Sequence, residues 1–592
     1  VTLQVSDLDT TTSNGVVARF LRAVRASWQS TSATRVVSLV LFAALIAWVL
    51  LVFRDYGISN DEPVQHTYGQ LLWSWYRSGF TDDGAFHYIN LYLYGGLFDL
   101  IAAGLDHHVP LDTFELRHLL SASFGLVGIF GAWNLARLLA GEKAGIVAAL
   151  LLALTGMYGG AMFTHTKDVP FAAAMVWSLY FITVIARRMP ELPAWRTVIG
   201  LGVAVGCAMG LRVGGVFAGL YLALTLLAGT ALLGEWRRFP WLVLRLVPAG
   251  LIAFVIMAVT WPWSVLPPTN LLTAMGTFSN FAFDLSTLIN GQEVPIDQVP
   301  ATYMSEYLLI KLPELTLAGI LAALAFAIAG LIGGTKGAGA KGAWHGIWRR
   351  RLVAHLPVAL ALIVPVVFTL LDRPPLYNGI RHFLFVIPAA TVVAAIGLCA
   401  LWRWSMRRSA LLGLGFATVA GGLFALNAVN FVELHPYEYV GYNQLVGGLK
   451  GATGRFEGDY WSDSLREAAL DLRYGVEHSG KPPAKPYEVA VCAEPLQIST
   501  YLGPNFTVTD EWDDADFLIT ATNIGCDNLV PGMTYRTISR KGVPLAMVVD
   551  LRAKHENEEL IQPLPWDDDD NPDTPAVSFN GPGSMTVAQK KP

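Results

Sequence analysis

Apolar residues in this chain fall into long unbroken blocks, with neither the alternation of a half-buried strand nor the one-sided stripe of a soluble helix. The blocks have the length that carries an α-helix across about 30 Å of hydrocarbon. Read between charged and Pro/Gly-rich breaks, they predict eleven spans: Val36–Phe53, Glu115–Leu138, Ala144–Phe163, Pro170–Ala186, Trp195–Leu211, Val213–Leu233, Leu242–Trp263, Tyr307–Ile332, Leu352–Leu371, Phe383–Trp402 and Ser409–Phe431. The run from Trp195 to Leu233 is too long for one crossing, and Gly210, Arg212, Gly214 and Gly215 predict a tight turn that divides it. That division sets the side on which every later loop emerges.

Charge follows the same division. With the N-terminus in the cytoplasm, twenty Lys and Arg fall in the inner loops, against eight outside before the C-terminal region: Arg54, Arg77, Arg117, Lys167, Arg212, Lys311, Arg373 and Arg381. This is the positive-inside bias, and merging the divided pair would move Arg237/Arg238, Arg349–Arg351 and Arg407/Arg408 to the outer side. The first span runs into Arg54-Asp55-Tyr56 with no small-residue cleavage site and is read as an uncleaved signal anchor. Before it, residues 1–35 form a basic segment. There Val16, Val17, Phe20, Leu21 and Val24, interleaved with Arg19, Arg22 and Arg25, have the spacing of a short amphipathic helix on the inner face; a basic tail is the alternative.

Composition agrees with a membrane protein. Of 592 residues 53% are hydrophobic and 15% charged, where soluble domains carry about 25% charged. Soluble α/β enzymes, solenoids and barrels are excluded. The 41 Lys and Arg against 46 Asp and Glu give a net charge of -5, with the acidic excess near the C-terminus, so no basic nucleic-acid surface is indicated. The sequence has no P-loop, no GxGxxG after a strand, no HExxH and no GxSxG, leaving nucleotide hydrolysis, dinucleotide binding, zinc proteolysis and the α/β-hydrolase mechanism unsupported.

The membrane domain thus occupies residues 36–431, and two of its outer loops, 54–114 and 264–306, are long enough to carry function. The first is aromatic-rich and suits helices lying at headgroup level, as in Leu71-Leu72-Trp73-Ser74-Trp75-Tyr76. Residues 432–554 read as a small periplasmic α/β domain, with strands at Tyr487–Cys492, Phe506–Asp510, Phe517–Thr520, Tyr535–Ser539 and Pro544–Leu551 and a hairpin turn at Lys541-Gly542. Residues 555–592, including Asp567–Asp570, are acidic and Pro-rich and predict a disordered tail. Cys207 and Cys399 fall in spans, whereas Cys492 and Cys526 share the outer domain and form a candidate disulfide.

Ionisable residues near hydrocarbon are costly, and here they gather at the outer ends of spans. Asp61 and Glu62 lie in Ser59-Asn60-Asp61-Glu62-Pro63 after the first span. His165, Lys167 and Asp168 lie between the third and fourth, Arg212 at the fifth–sixth turn, and Arg381 and His382 before the tenth. Carboxylates beside cations suit a reaction in which a hydroxyl proton is removed and a phosphate leaves. That is glycosyl transfer from a lipid phosphate, since no nucleotide sugar is expected outside the inner membrane.

The Asp-Glu pair after the first span, the acidic loop between the third and fourth, the eleven-span layout and the outer C-terminal domain resemble the GT-C superfamily of polyprenyl-phosphate-sugar glycosyltransferases. More narrowly, they resemble the bacterial family 39 members related to dolichyl-phosphate-mannose protein mannosyltransferases and aminoarabinose transferases. Tyr377–Phe385 and His435–Asn443 look like segments of bacterial relatives of that kind. The resemblance implies Asp61 as general base, Glu62 orienting it or the acceptor, and Asp168 as the second acid. Lys167, Arg212, Arg381 and His382 are the candidates for the donor phosphate. His165 is a candidate phosphate or metal contact, because some relatives use a divalent cation (Mg or Mn); no metal ligand set is assigned. It also implies inversion by single displacement, a polyprenyl-phosphate sugar as donor, and a glycolipid, glycan or protein as acceptor in a bacterial inner membrane.

Structural readings of the same residues stand beside these. Asp61 and Asp168 can cap helices that start near Pro63 and Pro170. Arg381 and His382 can be interfacial anchors, Arg212 a structural ion-pair partner, and Lys167 a snorkelling side chain. The main rival function is a transporter or flippase of a lipid-linked glycan, which predicts ionisable residues at mid-span.

Overall fold

A computed structural model of the chain describes residues 31–279, 285–336, 343–479, 483–526 and 532–552. The basic N-terminal amphipathic segment and the acidic tail lie outside the described residues. Among the described residues, nine helices are long and apolar enough to cross a membrane: Ala33–Val52, Thr113–Ala140, Asp168–Arg188, Val213–Leu233, Trp236–Thr260, Glu314–Ile332, Gly346–Asp372, Val386–Arg408 and Ala410–Glu433. Asp168–Arg188, Val386–Arg408 and Thr113–Ala140 are the most enclosed by protein, while Ala410–Glu433 and Ala33–Val52 bury few of their residues. Exposed leucines such as Leu51, Leu371 and Leu411 on the outer helices are the lipid-facing side of such a bundle.

Two predicted spans are shorter than expected. The predicted turn is present, and the helix before it, Trp195–Met209, has 15 residues. The predicted span from Ala144 to Phe163 is a 12-residue helix, Glu142–Ala153, followed by a broken, buried stretch with one turn at Gly156–Gly159. Just past the break the chain comes close to the 438–440 turn: a Cβ on Gly156 would lie 2.1 Å from the Glu438 carbonyl oxygen, so only glycine fits at that position. The predicted Tyr307–Ile332 span is also divided, at Leu312-Pro313, into Tyr303–Lys311 and Glu314–Lys336, since proline lacks the N–H that would continue the helix.

The long first loop folds into helices Glu62–Arg77 and Leu97–Asp106 joined by two short 3-10 turns. The second carries helix Asn270–Ser279 and a hairpin, β1 (Ser286–Ile289) with β2 (Gln292–Pro295). In the C-terminal region β3 (Tyr487–Val491), β4 (Phe506–Thr509), β5 (Phe517–Ala521), β6 (Met533–Arg540) and β7 (Val543–Asp550) form one sheet in the order β4-β3-β5-β7-β6. β3 pairs in parallel with both neighbours, and β7 is antiparallel to β5 and β6, with Lys541-Gly542 closing the last hairpin. Helix Leu465–His478 buries Leu465, Ala468, Ala469, Leu472 and Val476 in the same core as sheet residues Val489, Phe517, Ile519 and Ala546. Cys492 and Cys526 are disulfide-bonded, with Cα atoms 6.3 Å apart.

Candidate active site

The polar loops meet at the end of the bundle that carries the C-terminal sheet. Asp61 precedes helix Glu62–Arg77, yet its side chain makes no capping hydrogen bond; only its backbone carbonyl serves the helix, accepting from Gln65 N at 3.0 Å. The carboxylate instead faces Arg381, 3.7 Å from Nη1, and keeps 43% of its side-chain surface exposed. Desolvation by the surrounding walls holds its carboxyl above the ordinary aspartate range, with Arg381 and then Lys167 pulling the other way.

Cations close around it. Asp168, in the first turn of its helix, is ion-paired with Arg212. Lys167 is buried, 3.8 Å from Asp99 and 4.8 Å from the centre of the Tyr94 ring. Burial lowers the Lys167 ammonium below the ordinary lysine value, against the opposing pull of Asp99. Arg381 donates to the Tyr377 hydroxyl at 3.1 Å. Among the described residues Lys167 Nζ, Arg212 Nε and Arg381 Nε have no hydrogen-bond partner. Buried cationic donors left open in this way are costly and are matched by an anion with several acceptor oxygens.

Glu62 and His165 are oriented differently from their neighbours. Glu62 is fully buried and accepts from Ser59 N at 2.9 Å, Ser59 Oγ at 3.1 Å and His118 Nε2 at 3.2 Å, bracing the loop from behind. His165 Nε2 accepts from the Tyr460 hydroxyl and from Trp461 Nε1, both at 2.9 Å. That places the ring proton on Nδ1, beside Thr164 Oγ1 at 3.3 Å, so both nitrogens are engaged. Burial and then Arg381 push this imidazole well below its ordinary value, so it stays neutral. His382 lies edge-on to the Tyr377 ring at 4.8 Å, is likewise pushed down by burial and Arg381, and has an unpartnered Nδ1. Among the described residues no three of His, Cys, Asp and Glu are grouped to hold a metal ion, so these side chains do not by themselves fit the divalent cation raised by the resemblance.

Several participants escaped the sequence reading. Asp99 is fully buried and pairs with Arg117 at 2.9 Å while balancing Lys167; a lone carboxylate in the apolar run Leu97-Phe98-Asp99-Leu100-Ile101 was the available signal. Gln65 joins the same network by accepting from Thr166 and Arg117. Tyr94 is placed by a close crossing of chains. A Cβ on Gly95 would lie 2.1 Å from the Gly210 carbonyl oxygen, and Leu97 N donates to that oxygen at 2.9 Å. The crossing sets the Tyr94 ring beside Arg212, 5.8 Å away.

Fold and site together define a multi-span membrane protein with a carboxylate and a ring of open cations at one end of its bundle. Residues 114–263, which include Lys167, Asp168 and Arg212, match the family model described as dolichyl-phosphate-mannose-protein mannosyltransferase. The match agrees with the resemblance carried by the loops. Among solved structures, ArnT from Cupriavidus metallidurans bound to undecaprenyl phosphate is similar at 16% identity and a TM-score of 0.46, covering 86% of this chain and 97% of its own. Oligosaccharyltransferase AglB from Archaeoglobus fulgidus, in complex with an inhibitory peptide and a dolichol-phosphate, is similar at 12% identity and a TM-score of 0.40, covering 82% and 70%. Arabinofuranosyltransferase AftD from Mycobacteria is similar at 14% and 0.40, covering 86% and 40%. No curated protein matches.

Proposed function

We propose that the protein is an inverting glycosyltransferase of the bacterial plasma membrane. It moves a sugar from a polyprenyl-phosphate donor to an acceptor hydroxyl on a glycolipid, glycan or protein at the periplasmic face. The N-terminus is then cytoplasmic and the C-terminal sheet periplasmic, the orientation that the distribution of Lys and Arg favours.

The observation that carries this reading is the Asp61 carboxylate, uncommitted to its helix, partly exposed and 3.7 Å from the Arg381 guanidinium. Asp61 takes the acceptor proton as the hydroxyl oxygen attacks the anomeric carbon. Arg381, Lys167 and Arg212 stabilise the charge that collects on the departing lipid phosphate, and His382 lies at its margin. Asp168 holds Arg212 in place, and Glu62 and His165 hold the two loops that present the base and Lys167. The phosphate of a lipid must be met at the membrane edge, which is where span-end loops put these groups.

Transport is the less favoured reading, because Arg212 sits in the turn between Trp195–Met209 and Val216–Leu233 and not within one long helix. Mass spectrometry of envelope glycans from cells with and without the protein tests the proposal. Loss of one sugar unit on deletion is expected; an unchanged glycan profile with donor and acceptor present contradicts it.

A further inference from the structure

The segment from Asp459 to Ser464 belongs to the C-terminal part of the chain, yet it runs through the catalytic end of the bundle. Asn60, next to the proposed base, donates its backbone N–H to the Trp461 carbonyl at 3.2 Å, and Gln497 ties Ile58 O and Trp461 O together at 2.6 and 3.1 Å. Asp459 accepts from the backbone N–H groups of Asp463 and Ser464 at 3.1 and 3.0 Å, closing the segment on itself. Ser462 holds a left-handed φ of 58°, a conformation kept where the surroundings impose it. Tyr460 and Trp461 are both nearly fully buried.

The Trp461 ring lies 4.5 Å from Arg381 Cζ, and Tyr377 lies 4.7 Å from it. Two aromatic rings therefore pack against one guanidinium. A guanidinium donates only in its own plane, so a ring packed against it at Trp461 and a hydroxyl held by its edge at Tyr377 restrict how that plane can turn. Nη1 faces Asp61, Nη2 donates to the Tyr377 hydroxyl, and Nε has no hydrogen-bond partner among the described residues.

We propose that Trp461 is a positioning residue for the donor phosphate: with Tyr377 it clamps Arg381, so that the C-terminal part of the chain completes the lipid-phosphate site. The inference rests on the proposed lipid-phosphate donor. Without Trp461 the guanidinium gains rotamers and water, and its open edge no longer points at one place.

Binding of undecaprenyl phosphate to the purified full chain, measured by native mass spectrometry in a double-mutant cycle, tests this. W461L is expected to weaken binding about tenfold, W461F to stay within about threefold of the native protein, and W461L to change little further once R381A is present. If W461L lowers the yield of folded protein, W461M takes its place in the cycle. Native-like binding by the ring-less variant, or an equal loss with and without Arg381, overturns the clamp while leaving the donor reading intact. If the native protein binds no undecaprenyl phosphate, the donor reading fails and the clamp with it.

Discussion

At the residue scale, the surroundings of each charge decide what it can do. With Asp61 as the proposed base, its raised carboxyl pKa predicts that activity falls as pH drops through a value above the ordinary aspartate range, the protonated acid being unable to accept the hydroxyl proton. Because Arg381 lowers that pKa, R381Q is expected to move the acid limb of kcat/KM to higher pH, in addition to lowering the maximum. At the alkaline end, Lys167 is held below the usual lysine value, so the proposed phosphate site loses a charge at lower pH than a free lysine would. A pH–rate profile of native protein and R381Q checks both limbs. Asp99 is a separate case, since it faces no open cleft and balances Arg117 and Lys167 in full burial. D99N strands two buried cations and is expected to cost about 3–5 kcal/mol, seen as a lowered unfolding temperature in detergent.

At the scale of elements, the spans were legible because hydrocarbon demands long apolar runs, and the loop charges because a charge near lipid needs a reason to be there. Which of two adjacent polar residues stays exposed was not legible. Asp61 and Glu62 differ by one position, and only the turn into helix Glu62–Arg77 decides that the first is open and the second buried against Ser59 and His118. His165 has the same history. Its occupation by Tyr460 and Trp461 depends on contacts almost 300 positions away, which no local spacing encodes. The short helix Glu142–Ala153 likewise ends inside a continuous apolar run, just before the chain approaches the 438–440 turn at Gly156. Element positions also carry a prediction. G95A puts a methyl group into the Gly210 carbonyl, so the loop bearing Tyr94 must move away from Arg212. The expected result is a loss of transfer of about tenfold or more, since small misplacements at a reacting centre are costly. Steady-state rates at matched membrane levels measure it.

Across the whole molecule, one end of the bundle gathers the loops, the hairpin and the sheet, and the other carries paired arginines such as Arg187/Arg188 and Arg407/Arg408. If the loop end is periplasmic, a cysteine at Arg77 reacts with a membrane-impermeant maleimide in intact cells, and one at Arg408 reacts only after permeabilisation; the reverse pattern would invert the orientation. The most direct test of the central claim is glycan mass spectrometry of a deletion strain complemented with native protein or with D61N. With normal membrane insertion and undecaprenyl phosphate binding retained, D61N is expected to leave the glycan without its sugar unit, a loss of about 10²-fold or more in transfer. Full restoration of that unit by D61N would show that the Asp61 carboxylate is not the base.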